Sequence, residues 1–349
     1  MGQLPTVEDV AELANVSRQT VSNVLNTPAI VKPATRERVE DAISRLGYRQ
    51  NASARRLRTQ KSSTIGIRLD PMVNGISGSV LDRFLHALTE QADGRGMRVL
   101  LFTAPTPEAE IEQIRRLRDG SDVDAFVLTA TFYGDPRTEW LIANQVPFVT
   151  FGRPWGIDDM NDPQHLWVDV DGAAGVREAT AHLLDTGATR IHYLGWPSPS
   201  GTGDDRRRGW AGAMGDRLGI DGERLAALEH TTVEDVATAT TVAAALLERE
   251  PDVDALVCVS DSLALGAMIA ATSAGRPDLP IVGFDNTPIA QAVGFSSVEQ
   301  SLAEVASGVL ELLMGATGSD LVGRALAPGE AHRLITPQLI VRQPHHLPI

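Results

Sequence analysis

The hydrophobic pattern along the chain changes its period near residue 62. Up to about residue 50, apolar positions recur three and four apart, as on one face of a helix. In VEDVAELANVSRQTVSNVLN (7–26), Val7, Val10, Leu13 and Ala14 form one such face and Val21, Val24 and Leu25 a second. Asn15-Val16 makes the turn between them. Thr6, with Asp9 three residues on, predicts a capping box at the first start, and Ser17 an N-cap at the second. A third helix is predicted after Pro33-Ala34-Thr35, with Val39, Ala42, Ile43 and Leu46 on one face and Gly47 as its stop. Three short helices with a tight turn between the first two predict a helix-turn-helix unit.

From Thr64 onward, short apolar runs alternate with helical stretches. TIGIRL, MRVLLF, VDAFVLT and VPFVTF read as strands in the first half, and RIHYLGW, VDALVCVS and PIVGFD in the second. Segments such as SVLDRFLHALTEQADGRG, AAGVREATAHLLDTGA and DSLALGAMIAATSAG lie between them. Strand-helix alternation predicts parallel sheets covered on both faces. The likeness of VDAFVLT (123–129) to VDALVCVS (253–260) suggests two similar α/β lobes with a ligand cleft at the carboxyl ends of their strands. Residues following those strands are candidates for that cleft: Arg153, Trp196, Ser260, Asp261 and Asp285. Four of the five tryptophans, Trp155, Trp167, Trp196 and Trp210, fall between residues 151 and 210. Indole faces stack on the C–H faces of sugar rings.

Charge singles out the first segment. The chain carries a net −14, but residues 1–62 hold ten Lys/Arg against six Asp/Glu, leaving −18 on the rest. A basic end on an acidic body points to a polyanionic partner for that end alone. The second helix has the side chains to read one. Gln19, Asn23 and Asn26 face away from its apolar stripe, and Arg18 stands at its start. Arginine and carboxamide side chains grip guanine and adenine edges bidentately, while the hydroxyls of Ser17, Thr20 and Ser22 suit phosphate oxygens. Other classes recede. No run of eighteen apolar residues occurs, the N-terminus lacks the pattern of a signal peptide, and the single Cys258 cannot form an internal disulfide, so a reducing cytoplasm is expected. GTGD (201–204) begins like a dinucleotide fingerprint, but Arg206 stands where the third glycine belongs. With no Walker loop, nucleophile elbow or Cys/His metal spacing, no enzyme activity, cofactor or metal is expected.

The stretch VEDVAELANVSRQTVSNVLN, followed by VKPATRERVEDAISRLGYRQNASARRLRT, resembles the headpiece of the lactose-repressor/galactose-repressor (LacI/GalR) family without a gap. VDVDGAAG, DTGATRIHYLG, SDSLALGAM and GFDNTP continue the resemblance more loosely. It implies base reading by Arg18, Gln19 and Asn23, and backbone contacts from Ser17, Thr20, Ser22, Asn26, Thr35, Tyr48 and Asn51. It also implies a hinge helix in which Ala54, Arg55 and Leu57 enter the minor groove. A leucine wedged between base steps unstacks and kinks the duplex, and the neighbouring arginines meet phosphates.

The implied organisation is a helix-turn-helix headpiece at 1–50, a hinge at 51–62 and a periplasmic-binding-protein-like core at 63–349. Within that core, an N-lobe of about 63–165 and 296–326 and a C-lobe of about 166–295 and 327–343 are expected. Matched to the family's motifs, Arg206, Asp261, Asp285 and Gln300 are effector-side residues, although Ser260-Asp261 departs from the family's frequent Asn-Asp. The expectation is a homodimeric repressor of a pseudo-palindromic double-stranded DNA operator, induced by a small molecule, most simply a carbohydrate. A nucleobase or nucleoside is the alternative ligand, a phosphorylated one is left open by Arg206, Arg207 and Arg208, and a sugar-binding transport protein is the alternative class.

Overall fold

The computed structural model describes residues 5–48, 62–69, 78–157, 159–314 and 329–342. The chain divides into two compact units after Ser62.

The first unit has three helices, α1 (Val7–Ala14), α2 (Arg18–Asn26) and α3 (Pro33–Leu46). The capping box forms: the Asp9 N–H donates to Thr6 Oγ1 at 3.3 Å and the Thr6 N–H to Asp9 Oδ2 at 2.7 Å. Asn15, at φ +51°, turns the chain out of α1, and the Ser17 hydroxyl accepts the Thr20 N–H at 3.1 Å to start α2. Gly47, at φ +63°, ends α3 in the left-handed conformation that favours glycine. Val10, Ala11, Ala14, Val21, Val24, Val39 and Ala42 make the core. Leu13, expected in that core, is 41% exposed. Spacing of three from Val10 was the misleading cue: the stripe Val7-Val10-Ala11-Ala14 buries Ala11, and Leu13 falls outside it.

The second unit carries two six-stranded sheets. The first is entirely parallel, in the order β11 (His332–Ile335), β5 (Trp167–Val170), β4 (Phe148–Phe151), β3 (Ala125–Leu128), β1 (Thr64–Arg68), β2 (Arg98–Phe102). The second runs β12 (Gln338–Ile340), β10 (Ser296–Glu299), β9 (Ile281–Phe284), β8 (Ala255–Cys258), β6 (Ile191–Gly195), β7 (Glu229–Thr231), with only β12 antiparallel. The central strands are buried along their length, as expected where helices cover both faces. No helix among the described residues is long and apolar enough to cross a membrane.

The chain passes between the sheets three times, and the boundaries read from the sequence need correcting. Strand β5 belongs to the first sheet, so the first crossing follows residue 170 rather than 165. Strand β10, assigned above to the first lobe, pairs with β9 in the second. Strand β11, assigned to the second, pairs with β5 in the first. A strand's own residues fix its period, whereas its partner is set by distant chain.

Helices Gly172–Asp185 and Gly201–Leu218 pack at very short range where Gly209 meets the backbone of Ala173. A Cβ on Gly209 would come within 2.1 Å of the Ala173 carbonyl oxygen. Helix propensity favours alanine there by about 0.5–1 kcal/mol, but overpacking against backbone costs about 1–3 kcal/mol or more. Gly209→Ala should therefore lower the urea midpoint of the core. Gly212→Ala, which meets only the flexible tip of Arg177, should leave it unchanged or raise it.

Candidate functional site

On the headpiece, α2 presents the residues singled out from the sequence. Arg18 and Gln19 are exposed, and Gln19 Nε2 donates to Asn23 Oδ1 at 3.0 Å. Each amide keeps a hydrogen-bonding group beyond that shared bond. Arg18 Nη1 lies 2.6 Å from Glu8 Oε1, with the two side chains 70% and 55% exposed. So exposed a pair holds Arg18 weakly, and the same contact keeps the Glu8 carboxyl below its usual range. The Ser17 and Thr20 hydroxyls meet at 2.9 Å. Ser22 and Thr35 are half-buried. Tyr48 packs against the three-helix core, and burial, then the Glu8 charge, push its phenol up. The Asn26 side chain, Asn51, Ala54, Arg55 and Leu57 lie outside the described residues.

In the core, the carboxyl ends of strands from both sheets converge on a cleft holding about 850 Å³ of space open to solvent. The first lobe contributes Thr129–Thr131 after β3, Gly152-Arg153 after β4, and Asp169 of β5. The second contributes Asp205 and Arg206 of helix Gly201–Leu218, Phe284 of β9, and Gln300.

Arg153 bridges the lobes. Its Nε donates to Asp169 Oδ2 at 2.7 Å and its Nη2 to Asp205 Oδ2 at 2.6 Å. Burial pushes the Asp169 carboxyl up, against the pull of Arg153. Arg206 is buried with its guanidinium carbon 3.6 Å from the centre of the Phe284 ring. Its Nη1 donates to the Val259 carbonyl at 2.6 Å, its Nη2 lies 3.6 Å from Asp285 Oδ1, and its buried Nε has no partner. Asp285, at φ +109°, accepts from Gln300 Nε2 at 2.5 Å.

Arg137 fixes the loop after β3. Nearly inaccessible, it pairs with Glu110 at 2.9 Å and Asp135 at 2.6 Å, and Nη2 donates to the Thr129 and Ala130 carbonyls, each at 3.1 Å.

Both units match known sequences. Residues 6–51 match the family described as bacterial regulatory proteins, lacI family, and residues 180–343 match the periplasmic binding protein-like domain. The HTH-type transcriptional regulator CelR of Thermobifida fusca is 34% identical over 300 residues, covering 82% of this chain and 84% of that protein. The chain belongs to the LacI family. It is a transcriptional regulator, with a helix-turn-helix unit joined to a two-sheet α/β core. A LacI-family regulatory protein from Chloroflexus aggregans has the same fold, with a TM-score of 0.71, 33% identity and coverage of 80% of this chain and 98% of that one. A structure described as a transcriptional regulator CelR–cellobiose complex matches with a TM-score of 0.66 and 27% identity over 98% and 100% of the two chains.

Against this LacI-family cleft, the expected effector residues separate. Arg153, Arg206 and Gln300 line it, and Asp285 stands directly behind the last two. Asp261, Ser260 and Trp196 do not line it. The Asp261 carboxylate is buried and takes the Thr287 N–H and hydroxyl at 2.7 and 2.8 Å and the Ser297 hydroxyl at 2.6 Å. These three bonds hold the turn after β9 to β10. Ser260 caps helix Asp261–Ser273 and donates to Glu234 Oε2 at 2.8 Å, the same oxygen that receives the Trp196 indole N–H at 2.7 Å. Placement at a strand end predicts the neighbourhood of a site, not which way each side chain turns.

Asp169, Asp205, Thr131 and Phe284, which line the cleft, were missed. For Asp169 the signal was the run WVDV, which reads as a strand once its own alternation is noticed. Trp167 and Trp210 are packing residues, stacked on His332 and Tyr193. Arg207 pairs with Glu229 and Arg208 with Asp205, so neither is turned to a ligand.

Burial, reinforced by Asp261 and opposed by Arg206, pushes the Asp285 carboxyl up to about 7. A carboxyl raised in the folded state contributes stability that is fully present below its unfolded value, about 4, and is lost as pH rises through about 7. Asp285→Asn mimics the protonated form at every pH. Relative to that variant, the wild-type core should lose stability between pH 5 and pH 8. Urea titrations of both proteins at the two pH values check this; a constant gap between them would mean that Asp285 stays ionised throughout.

Proposed function

We propose that the chain is a homodimeric cytoplasmic repressor. In this reading it holds a pseudo-palindromic DNA operator and releases it when a neutral, polyhydroxylated small molecule, a sugar, enters the cleft between its lobes. The observation that carries the ligand reading is the state of the cleft's cations. Arg153 is committed to Asp169 and Asp205, and Arg206 lies against Asp285 and the Val259 carbonyl. An anionic ligand would have to displace Asp169 or Asp205 to pair with Arg153. A polyol meets what the walls offer: carboxylate acceptors, guanidinium donors, the amide of Gln300 and the ring of Phe284. The cellobiose bound by the CelR structure supports the same class. No catalytic step is assigned, because the charged groups of the cleft serve to neutralise one another.

For DNA, Arg18, Gln19 and Asn23 read bases, with Ser17, Thr20, Ser22, Asn26, Thr35, Tyr48 and Asn51 on the backbone. Ala54, Arg55 and Leu57 form the minor-groove hinge. A two-fold dimer places two such units on related half-sites.

Variants at the two sites should separate. Gln19→Ala should weaken operator binding about tenfold or more, the usual range for a lost bidentate base contact of ~1–3 kcal/mol. Leu57→Ala should remove operator preference over random DNA. Arg206→Ala should weaken sugar binding while leaving operator affinity without ligand unchanged. Mobility-shift titrations and calorimetry read these effects. Operator affinity that ignores Gln19 and Leu57 would overturn the DNA assignment, and sugar affinity that ignores Arg206 would overturn the cleft assignment.

A further inference from the structure

The cleft has a neighbour in the first lobe. A second cavity of about 1080 Å³, also open to solvent, lies between helix Pro136–Ala143 and the chain that follows β4. The same two loops build both spaces. After β3, Thr129–Thr131 face the cleft, while Thr131, Phe132 and Asp135 face the side cavity. At the end of β4 and just after it, Phe151–Arg153 face the cleft, and Pro154–Ile157 face the side cavity. Thr131 borders both spaces and Gly152 packs against it, since a Cβ on Gly152 would come within 2.4 Å of Thr131 Oγ1, so these two residues form the partition between cleft and side cavity.

Trp155 stands at the same junction. Only 4% exposed, it carries the Arg153 guanidinium 4.6 Å from the centre of its ring, and it rests against Gly201 at the start of the second lobe's helix. Its indole N–H is buried with no acceptor. A buried donor left unpaired is unfavourable, and an oxygen brought beside it relieves that.

The walls of the side cavity have a definite chemistry. Phe132, Trp155, Ile157 and Ile142 give it apolar and aromatic surface, of the kind on which the C–H faces of a pyranose ring pack. Its polar groups include the carboxylates of Glu139 and Asp162, Asp135 being held by Arg137, and among the described residues no lysine or arginine lines it. Such a wall accepts hydrogen bonds from hydroxyls and repels a phosphate.

We propose that this side cavity is a second subsite of the effector site, which takes one ring of a neutral disaccharide while the other ring lies in the cleft, with the linkage passing Thr131 and a small shift of Trp155 giving its N–H an acceptor. The inference rests on the sugar reading above and narrows it from a sugar to a disaccharide.

The test is calorimetric titration of the full chain with glucose and galactose and with cellobiose, maltose and lactose, in wild type and Ala143→Trp. Ala143 is an exposed residue at the end of its helix that lines only the side cavity, so an indole there fills the subsite without entering the core. The expected result is a wild type that binds one disaccharide at least tenfold tighter than its component monosaccharide, and an Ala143→Trp protein that binds the two alike, with monosaccharide affinity unchanged. Trp155→Phe, which keeps a ring and removes the N–H, should weaken the disaccharide severalfold and spare the monosaccharide.

A wild type that binds monosaccharide and disaccharide equally, or an Ala143→Trp protein that keeps the full disaccharide preference, overturns the subsite and leaves the sugar reading standing. A uniform loss of both ligands in Ala143→Trp, with an unchanged melting temperature, also overturns it, because the side cavity would then be part of the primary site. Binding of none of the five sugars by wild type sinks the sugar reading and the subsite with it.

Discussion

Charge buried between the two lobes has to be neutralised by charge from across the gap, and the cleft is arranged around that requirement. Arg153 from the first lobe is satisfied by Asp169 beside it and by Asp205 opposite. Asp205 in turn takes the Ala173 N–H at 3.2 Å and the Arg208 guanidinium. A buried ion pair contributes little net stability, but leaving one partner alone costs about 3–5 kcal/mol. The pairings therefore act less as glue than as a specification: arrangements that separate Arg153 from Asp205 without offering a substitute are penalised. Gly172 fits the same picture, because a Cβ there would press on the Arg206 stem at 2.9 Å and on Asp205 at 3.1 Å.

The same logic operates deeper in the first lobe. Arg137 is neutralised by Glu110 and Asp135, and Arg68 also reaches Glu110 at 3.0 Å. Burial pushes the Glu110 carboxyl up, while the two guanidiniums draw it back. This cluster places two arginine donors on the carbonyls of Thr129 and Ala130. Ala130 sits at φ +53°, an unfavourable conformation for alanine. The loop that borders both cavities is thus held by an ion cluster, not by its own preferences.

What the sequence reveals follows the range of the interactions involved. The three headpiece helices are legible almost to the residue, because Thr6-Asp9, Ser17, Pro33 and Gly47 act within one turn of their own position. The alternation of strands and helices in the core is equally local. The lobe membership of β5, β10 and β11 is not, because four-residue strands such as WVDV, SSVE and HRLI pair with whatever strand the rest of the chain brings alongside. The cleft divides in the same way. Strand ends brought Arg153 and Asp285 into view, and family motifs Arg206 and Gln300. Asp261 looks identical at that level, yet three donors from its own lobe engage it and make it a support. Asp205 hid within DDRRRGW, where nothing separates it from Asp204 except the helical phase that turns one inward and leaves the other capping Ser198 and Ser200.

These pairings also decide how a ligand could act. A ligand shifts an equilibrium between lobe arrangements only through a difference in affinity for them, and any such shift that alters DNA binding must be returned equally by DNA on the ligand. Groups that the protein has already satisfied offer no difference. Groups that it has left short do: the buried Arg206 Nε and the Trp155 N–H each lack an acceptor in the arrangement described. The first belongs to the second lobe and lines the cleft; the second belongs to the first lobe, beside the partition of Thr131 and Gly152. A ligand that supplies an oxygen to either one must engage its own lobe, and a ligand long enough to supply both ties the two lobes together through itself. Such a molecule needs acceptors at both ends, and it meets an Arg153 already held by Asp169 and Asp205. A linked pair of polyhydroxylated rings, as proposed above, would have acceptors at both ends, and the same two donors would then serve both selection of the ligand and coupling of the lobes.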